Sequence, residues 1–364
     1  MIVGIIGGGQ LARMLALAGQ PLGLEFIFID PGAGISAAST GQHWQGPYDD
    51  PELLRRLAAT ADVATYEFEN VPPATIEYLA RHMAVFPSVR ALSCARDRLQ
   101  EKSLFDRLGI PTVPHRPVNS RAELAEAVEA LGLPAVLKTR RLGYDGKGQI
   151  VLRAPADIGT AWERLGGADL ILEAFVEFQR EVSIIAARNR AGEVRFYPLS
   201  ENTHERGVLA FSRARPGDPA AAEACRYMGL LLDEFAYVGV LALELFDVGG
   251  RLLANEMAPR VHNSGHWTIE GSETSQFENH LRAVLGWPLG DTAPVGYTAM
   301  FNCVGYLPDP KAVMAIGGAH WHDYRKAVRP GRKVGHITAR ASDKDSLEPA
   351  ISALKAVLPG HVFD

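Results

Sequence analysis

Cysteine is scarce in this chain: Cys94, Cys225 and Cys303 lie far apart among 364 residues. Their odd number, and the lack of any CxxC pair or metal-ligand spacing, argue against a disulfide framework and for a reducing compartment. No apolar run approaches the length of a membrane span. Charge of one sign is not in excess either. The net is −5, so nothing points to a nucleic-acid partner across the surface. No charged leader or cleavage site precedes the opening IVGII run, and the expected location is the cytoplasm. Also missing is any GxxxxGK(S/T) loop, so a nucleotide site of the P-loop kind is excluded. Apolar residues at 47% and charged residues at 22% make an ordinary globular balance, in a chain long enough for two or three domains.

What is present over the first hundred residues is an alternation of short apolar runs and amphipathic segments. Strands are predicted at 2–6, 24–29, 63–66 and 84–86, with helices at 10–18, 52–59 and 75–82. That order predicts an α/β fold with a parallel, doubly wound sheet. The first turn contains Gly7-x-Gly9-x-x-Ala12, and Asp30 ends the second strand. This is close to the dinucleotide fingerprint, and alone it supports an NAD(P)-dependent oxidoreductase. Physically it licenses less: a glycine turn at a helix N-terminus, able to receive an anion or simply to pack tightly. Glu67, Glu69 and Asn70 follow a strand at the sheet edge where such folds bind ligands. Each is more often a helix cap.

A helix at 97–108 carries Arg98 and Lys102 on one face, and GIPTVPHRP then reads as an extended linker. After a helix at 122–131 and a strand at 135–138 comes TRRLGYDGKGQ. Its glycines free the backbone to fold over a ligand, and Arg140, Arg141 and Lys147 add positive charge. A hairpin tip with solvated charges is the alternative. Lys138 weighs against it, because an idle ammonium in the AVLK strand would be costly. The run from Glu173 to Val176 suits a main-chain hinge against an adenine edge, or a plain edge strand. A second basic cluster, DYRKAVRPGRKVGH, has no acid between its cations and suits a phosphate monoester.

The organising stretch is LELFDVGGRLLANEMAPRVHNSGH, from Leu243 to His266. It reads as two strands, each with one carboxylate, Glu244 or Glu256, among apolar neighbours. A two-residue loop, Gly249-Gly250, would put Glu244 opposite Asn255 and turn Glu256 to the other face. A three-residue loop, Gly249 to Arg251, would set the two acids across from each other. The second register is the expectation, with Mg²⁺ between the carboxylates. Two acids that each find a Lys or Arg explain the hairpin alone equally well.

Taken together, GGGQLARM, DRLQEKSLFDRLGIP, KTRRLGYDGKGQ, LEAFVEFQREVS, ENTHERG, NEMAPRVHNSGHWT and RPGRKVGH resemble the 5-(carboxyamino)imidazole ribonucleotide synthetase family of ATP-grasp ligases. The motifs run in the family's order along nearly the whole chain, with no departure at a motif position. Least matched are residues 32–62 and the last dozen. The resemblance implies three parts: a doubly wound domain at 1–97, an ATP-grasp domain at 98–290 with a lid at about 110–180, and a small C-terminal domain at 291–364. It implies a homodimer and the ATP-driven carboxylation of 5-aminoimidazole ribonucleotide by bicarbonate, through carboxyphosphate, in purine biosynthesis. It implies no nicotinamide, with the Gly7–Ala12 turn on the ribonucleotide side. Arg98 and Lys138 would meet ATP phosphates, under a flap of Gly143, Tyr144, Asp145, Gly146, Lys147, Gly148 and Gln149. Glu173, Ala174, Phe175 and Val176 would hold adenine, and Glu181 and His204 the ribose or base. Asn255 and Glu256 would close the ATP site, with Glu244 and Glu256 as Mg²⁺ ligands. Tyr144, Asp145, Arg260, His262, Asn263 and Ser264 would hold the ribonucleotide, and Lys326, Arg332 and Lys333 its phosphate. Lys138, Asp145, Arg260 and His262 are the expected catalytic residues. The other readings are the oxidoreductase, another ligase of the same fold such as a formate-dependent transformylase, and a nucleotide-binding protein without activity.

Overall fold

The computed structural model describes residues 1–143 and 148–359. Strand β1 (Ile2–Ile6) turns into helix α1 (Gln10–Gly19). There follow β2 (Glu25–Asp30), β3 (Gln42–Gln45), α2 (Pro51–Thr60), β4 (Val63–Tyr66) and α3 (Pro73–Ala80). All four strands are parallel, in the order β3-β2-β1-β4. Val3, Ile5, Phe26 and Phe28 face α1, while Ile6, Ile27, Ile29 and Tyr66 face α2 and α3. Burial on both faces is why these strands read as unbroken apolar runs. Asp50 starts α2, its Oδ1 accepting the amides of Glu52 at 2.9 Å and Leu53 at 3.1 Å, with Pro51 at the first helical position. The strand predicted at 84–86 is only a bridge between Val85 and Ala64.

Helices α4 (Val89–Ala95) and α5 (Arg98–Arg107) lead to a small antiparallel sheet. It comprises β5 (His115–Val118), α6 (Arg121–Leu131), β6 (Ala135–Thr139), β7 (Gln149–Leu152), α7 (Asp157–Leu165) and β8 (Leu170–Ala174). Its strand order is β5-β8-β6-β7. Leu124, Val128 and Ala161 of the helices cover Leu137, Leu152 and Leu170 of the sheet. Part of the predicted linker is thus strand β5.

The rest of the chain is built on a large sheet. Its elements are β9 (Arg180–Arg188), β10 (Val194–Phe196), β11 (Leu199–Glu205), β12 (Val208–Arg215), α8 (Ala221–Glu234), β13 (Gly239–Val248), β14 (Arg251–Ala258), α9 (Thr268–Gly271) and α10 (Gln276–Leu285). They continue with β15 (Tyr297–Val304), α11 (Pro310–Met314), β16 (Ala319–Asp323), β17 (Lys333–Ala341) and α12 (Lys344–Val357). The antiparallel order is β14-β13-β9-β11-β12-β15-β17-β16, with β10 beside β9. Strands from the C-terminal part continue this sheet, Phe301 of β15 pairing with Phe211 of β12.

Helix α8 covers one face of that sheet through Tyr227, Met228 and Leu231. On the other face, Phe277, Leu281 and Val284 of α10 share a core with Leu11, Met14 and Leu15 of α1. Each fully buried Phe or Leu contributes about 1.5–3 kcal/mol, so α10 joins the N-terminal sheet firmly to the large one. His280 on α10 makes the join specific. Its Nδ1 accepts the Val240 amide at 3.1 Å, and its Nε2 lies 2.9 Å from Thr65 Oγ1. Burial lowers this imidazole to about 4, so it is neutral with its proton on Nε2. The result sets the C-terminal edge of β1 and β4 beside the β13–β14 hairpin. Among the described residues no helix is long and apolar enough to cross a membrane.

Candidate active site

The hairpin turns on Gly249 and Gly250 alone, with φ of +63° and +86°, and Val248 pairs with Arg251. Positive φ at both central positions is the primed turn that matches strand twist and favours glycine. The expected three-residue loop is therefore wrong. A regular ladder from this turn would have hidden Glu256 on the far face. Instead the register shifts: Leu245 pairs with Ala254, but Glu244 pairs with Glu256. Asn255 is the extra residue of a β-bulge. The two glutamates face each other as expected, by a different route.

Their charges are unevenly met. Arg98 Nη1 donates to Glu256 Oε2 at 2.8 Å. Desolvation raises the Glu256 carboxyl, but Arg98 outweighs it and leaves the group below its ordinary value. Desolvation and then the Glu256 charge push Glu244 up, to about 7. His262 Nε2 lies 3.3 Å from Glu244 Oε1. That imidazole cannot serve as a counter-ion, because burial, Arg260 and Lys333 hold it well below its usual range. A site with two hard oxygen donors and a deficit of positive charge fits a divalent cation. Among the described residues no cluster of three or more His, Cys, Asp or Glu side chains is placed to hold a metal.

Both glutamates open onto a cleft of about 890 Å³. Helix α1 contributes Gln10, the segment after β4 contributes Glu67 and Glu69, helix α5 contributes Arg98 and Glu101, and β11 contributes His204. The segment after β14 adds Arg260, His262 and Asn263, and the loop between β16 and β17 adds Lys326, Arg329, Arg332 and Lys333. Gly143 stands at the rim. Tyr144, Asp145, Gly146 and Lys147 lie outside the described residues, while Gly148 and Gln149 enter β7, where Gln149 pairs with Lys138.

Other expected site residues meet each other. Lys138 Nζ donates to Glu173 Oε2 at 2.7 Å, and Lys102 Nζ is 3.9 Å from Glu173 Oε1. Against the effect of burial, these two lysines bring Glu173 down to about 2. Ala174 ends β8, and Phe175 beyond it is exposed. Glu181 Oε2 lies 2.7 Å from His204 Nδ1, which raises that imidazole despite burial. Arg260 makes a two-pronged pair with Glu69, at 2.6 and 3.1 Å. Lys326 Nζ donates to Gln10 Oε1 at 2.5 Å. Asn255 Oδ1 is buried with no hydrogen-bond partner among the described residues. Ser264 departs from its expectation: it is fully buried behind His262, its Oγ 2.9 Å from Nδ1. Arg140 and Arg141 depart as well, since both are committed to Asp97, the N-cap of α5.

The glycine turn has its own answer. Glu67 Oε1 accepts the Gly9 amide at 2.5 Å, and Oε2 accepts the Ala12 amide at 2.9 Å. Asp30 accepts the Gly8 amide at 2.9 Å and the Tyr48 hydroxyl at 3.1 Å. A Cβ on Gly9 would stand 2.5 Å from Glu67 Oε1, so glycine is needed for that carboxylate to approach. The seat a pyrophosphate takes in dinucleotide enzymes is filled by the chain itself. This removes the oxidoreductase reading. Sequence reasoning did not single out Glu101, although it lies within the DRLQEKSLFDRLGIP stretch, or His280, which lies in no motif; both are buried, and their partners are distant in sequence.

A doubly wound sheet, a small antiparallel sheet, a larger one and an acidic hairpin in a cleft with basic residues define an ATP-grasp ligase. Family models agree: the ATP-grasp domain matches residues 103–277, the ribonucleotide synthetase preATP-grasp domain 1–96, and the phosphoribosylaminoimidazole carboxylase C-terminal domain 298–350. The chain is 54% identical to N5-carboxyaminoimidazole ribonucleotide synthase of Pseudomonas aeruginosa over 98% of its length and 99% of that protein. The crystal structure of the Thermus thermophilus synthetase is similar with a TM-score of 0.94, at 51% identity and 98% coverage of both chains. A structure of the Aspergillus clavatus synthase in complex with ADP and 5-aminoimidazole ribonucleotide is similar with a TM-score of 0.89, at 31% identity, covering 98% of this chain and 99% of that one. The chain belongs to the N5-carboxyaminoimidazole ribonucleotide synthase family of ATP-grasp carbon–nitrogen ligases.

Proposed function

We propose that the cleft carries out the family reaction: ATP, bicarbonate and 5-aminoimidazole ribonucleotide give N5-carboxyaminoimidazole ribonucleotide, ADP and phosphate. The observation that carries this is the facing of Glu244 and Glu256 in one cleft with Arg98 and the basic loop of Lys326, Arg332 and Lys333. Glu244 and Glu256 would hold Mg²⁺, whose chemistry is to neutralise charge on the transferring phosphoryl group. Arg98 and Lys138 add fixed positive charge on the ATP side, with adenine against the stretch from Glu173 to Val176 and ribose near Glu181 and His204. Asn255 would close the ATP site next to Glu256. The basic loop takes the ribonucleotide phosphate, and Arg260, His262 and Asn263 flank its base; Ser264 acts by orienting His262.

Bicarbonate is a weak electrophile, so an amine cannot attack it directly. Its oxygen takes the γ-phosphoryl group of ATP, and the carboxyphosphate so formed must be kept from water. The glycine loop from Gly143 to Gly148 is the element for that exclusion. The exocyclic amine then attacks the activated carbon, phosphate leaves, and the amine loses a proton to Asp145 or His262. His262 has the neutral imidazole a proton acceptor requires. The assembly we infer is a homodimer, to be checked by light scattering.

Phosphate release measured with each substrate omitted in turn tests the reading. Release that needs ATP, bicarbonate and the ribonucleotide together supports it, and release indifferent to the ribonucleotide refutes it.

A further inference from the structure

The bulge at Asn255 turns Glu256 toward Glu244, so whatever holds the bulge sets the site. Strand β14 is the outer strand of the large sheet, and elements outside the sheet meet its outward backbone groups. Ala254 donates its N–H to the Pro111 carbonyl at 2.7 Å. The Ala254 carbonyl accepts from Lys102 Nζ at 3.2 Å and Thr112 Oγ1 at 3.0 Å. Met257 donates its N–H to Glu101 Oε1 at 2.6 Å. In a regular strand the groups facing one edge recur at every second residue. Here they occur at 254 and then 257, an odd interval, and that change of parity is the bulge.

Glu101 and Lys102 are neighbours on α5 and are buried to 2% and 1% exposure. An acid and an ammonium so buried are costly unless each has a polar partner. The backbone on either side of Asn255 supplies one to each. Straightening the strand would bring the Met257 amide back to the inner edge and leave the Glu101 carboxylate without it. The same two side chains that require the bulge therefore help to fix it, beside the contacts of Pro111 and Thr112 with Ala254.

We propose that Glu101 and Lys102 are positioning residues for the cation: by holding Met257 and Ala254 on the outer edge, they keep Glu256 across from Glu244. This rests on the reading of Glu244 and Glu256 as its ligands. The test is binding of Mn²⁺ to the full-length protein in the presence of ADP, read from the electron paramagnetic resonance of free Mn²⁺, with no turnover involved. Glu101→Leu, which removes the acceptor, weakens Mn²⁺ binding by about tenfold, the scale on which losing an outer partner of a ligand acts. Glu101→Gln keeps an oxygen for the Met257 amide and restores binding to within about twofold, an outcome a mere loss of charge would not give. Lys102→Met is the second arm, weakening Mn²⁺ in the same direction, and it stands as the test should Glu101→Leu fail to fold.

A folded Glu101→Leu or Lys102→Met protein with unchanged Mn²⁺ affinity overturns the inference. Glu256→Gln, measured alongside, tells the two failures apart. If it loses Mn²⁺ while the α5 variants keep it, the positioning role is wrong; if it keeps Mn²⁺, the ligand reading is wrong and the positioning role goes with it.

Discussion

Two regions of this molecule bury carboxylates at the edge of the same cleft and resolve them in opposite ways. At the start of α1, Glu67 finds two amide donors within the chain, at Gly9 and Ala12. On the β13–β14 hairpin, Glu244 faces Glu256, and Arg98 answers only the second of them. The first seat is closed by the protein itself. The second is short of positive charge, which is why we propose that a cation completes it. A motif thus reports a cavity, and the binding role depends on whether the chain has already filled it. The glycine fingerprint and the acidic hairpin are equally conspicuous in sequence, and only the first has its buried donors met within the chain.

Glu256→Gln disturbs the open seat most severely. It removes a charge from the open seat while keeping the shape, and ribonucleotide-dependent phosphate release should fall by about a thousandfold, the several kcal/mol that a correctly placed cation contributes. Circular dichroism should be unchanged. Near-normal phosphate release in a folded variant would remove the metal site from these glutamates.

How far the sequence led is visible in that hairpin. Its two acids, its glycine turn and its partners Arg98, Lys138, Arg260 and His262 were legible, because each is a polar group in an otherwise apolar or motif-bearing run. The bulge was not, because its cause lies on α5, about 150 residues away in sequence. The expected register came out right while the loop beneath it was wrong. Glu67 was legible only as one of three polar residues at a strand end, since nothing local says that it reaches back to the first turn. For the fold, the apolar runs of β1, β2 and β4 announced a doubly wound sheet. The polar edge strand β3 and the hairpin partners β11 and β12 carried no comparable pattern. That the C-terminal strands continue the large sheet depends on pairing, which no single segment encodes.

The two seats share one cleft, and His280 joins their strands. It bridges Thr65, two residues before Glu67, to Val240 on β13. Its folded value of about 4 lies below the ordinary 6.5. Between those values the unfolded chain binds a proton that the folded one refuses, so stability is lost as pH falls from about 6.5 to about 4. The loss from this one residue is about 3 kcal/mol. His280→Gln keeps an acceptor for Val240 and a donor for Thr65 but cannot titrate. Urea midpoints taken across this pH range should show a flatter slope for the variant. A slope equal to the parent's would mean that His280 already accepts a proton in the folded protein.

The smallest effect bears most directly on why the first seat is closed. Gly9 has φ −78° and ψ −160°, a conformation open to any residue, so alanine brings no backbone strain there. What alanine adds is a Cβ 2.5 Å from Glu67 Oε1, and the carboxylate must move off the Gly9 and Ala12 amides to admit it. Gly9→Ala should therefore destabilise the parent by about 1–3 kcal/mol, the cost of overpacking or of stranded donors. In a Glu67→Ala background the three atoms nearest that Cβ are gone, and the same substitution should cost about 0.5 kcal/mol or less. The difference between the two is the coupling energy of the closed seat, read from a double-mutant cycle of denaturation midpoints. Additive effects would mean that the Glu67 carboxylate does not occupy the turn, and the anion seat at α1 would again be open to a ligand.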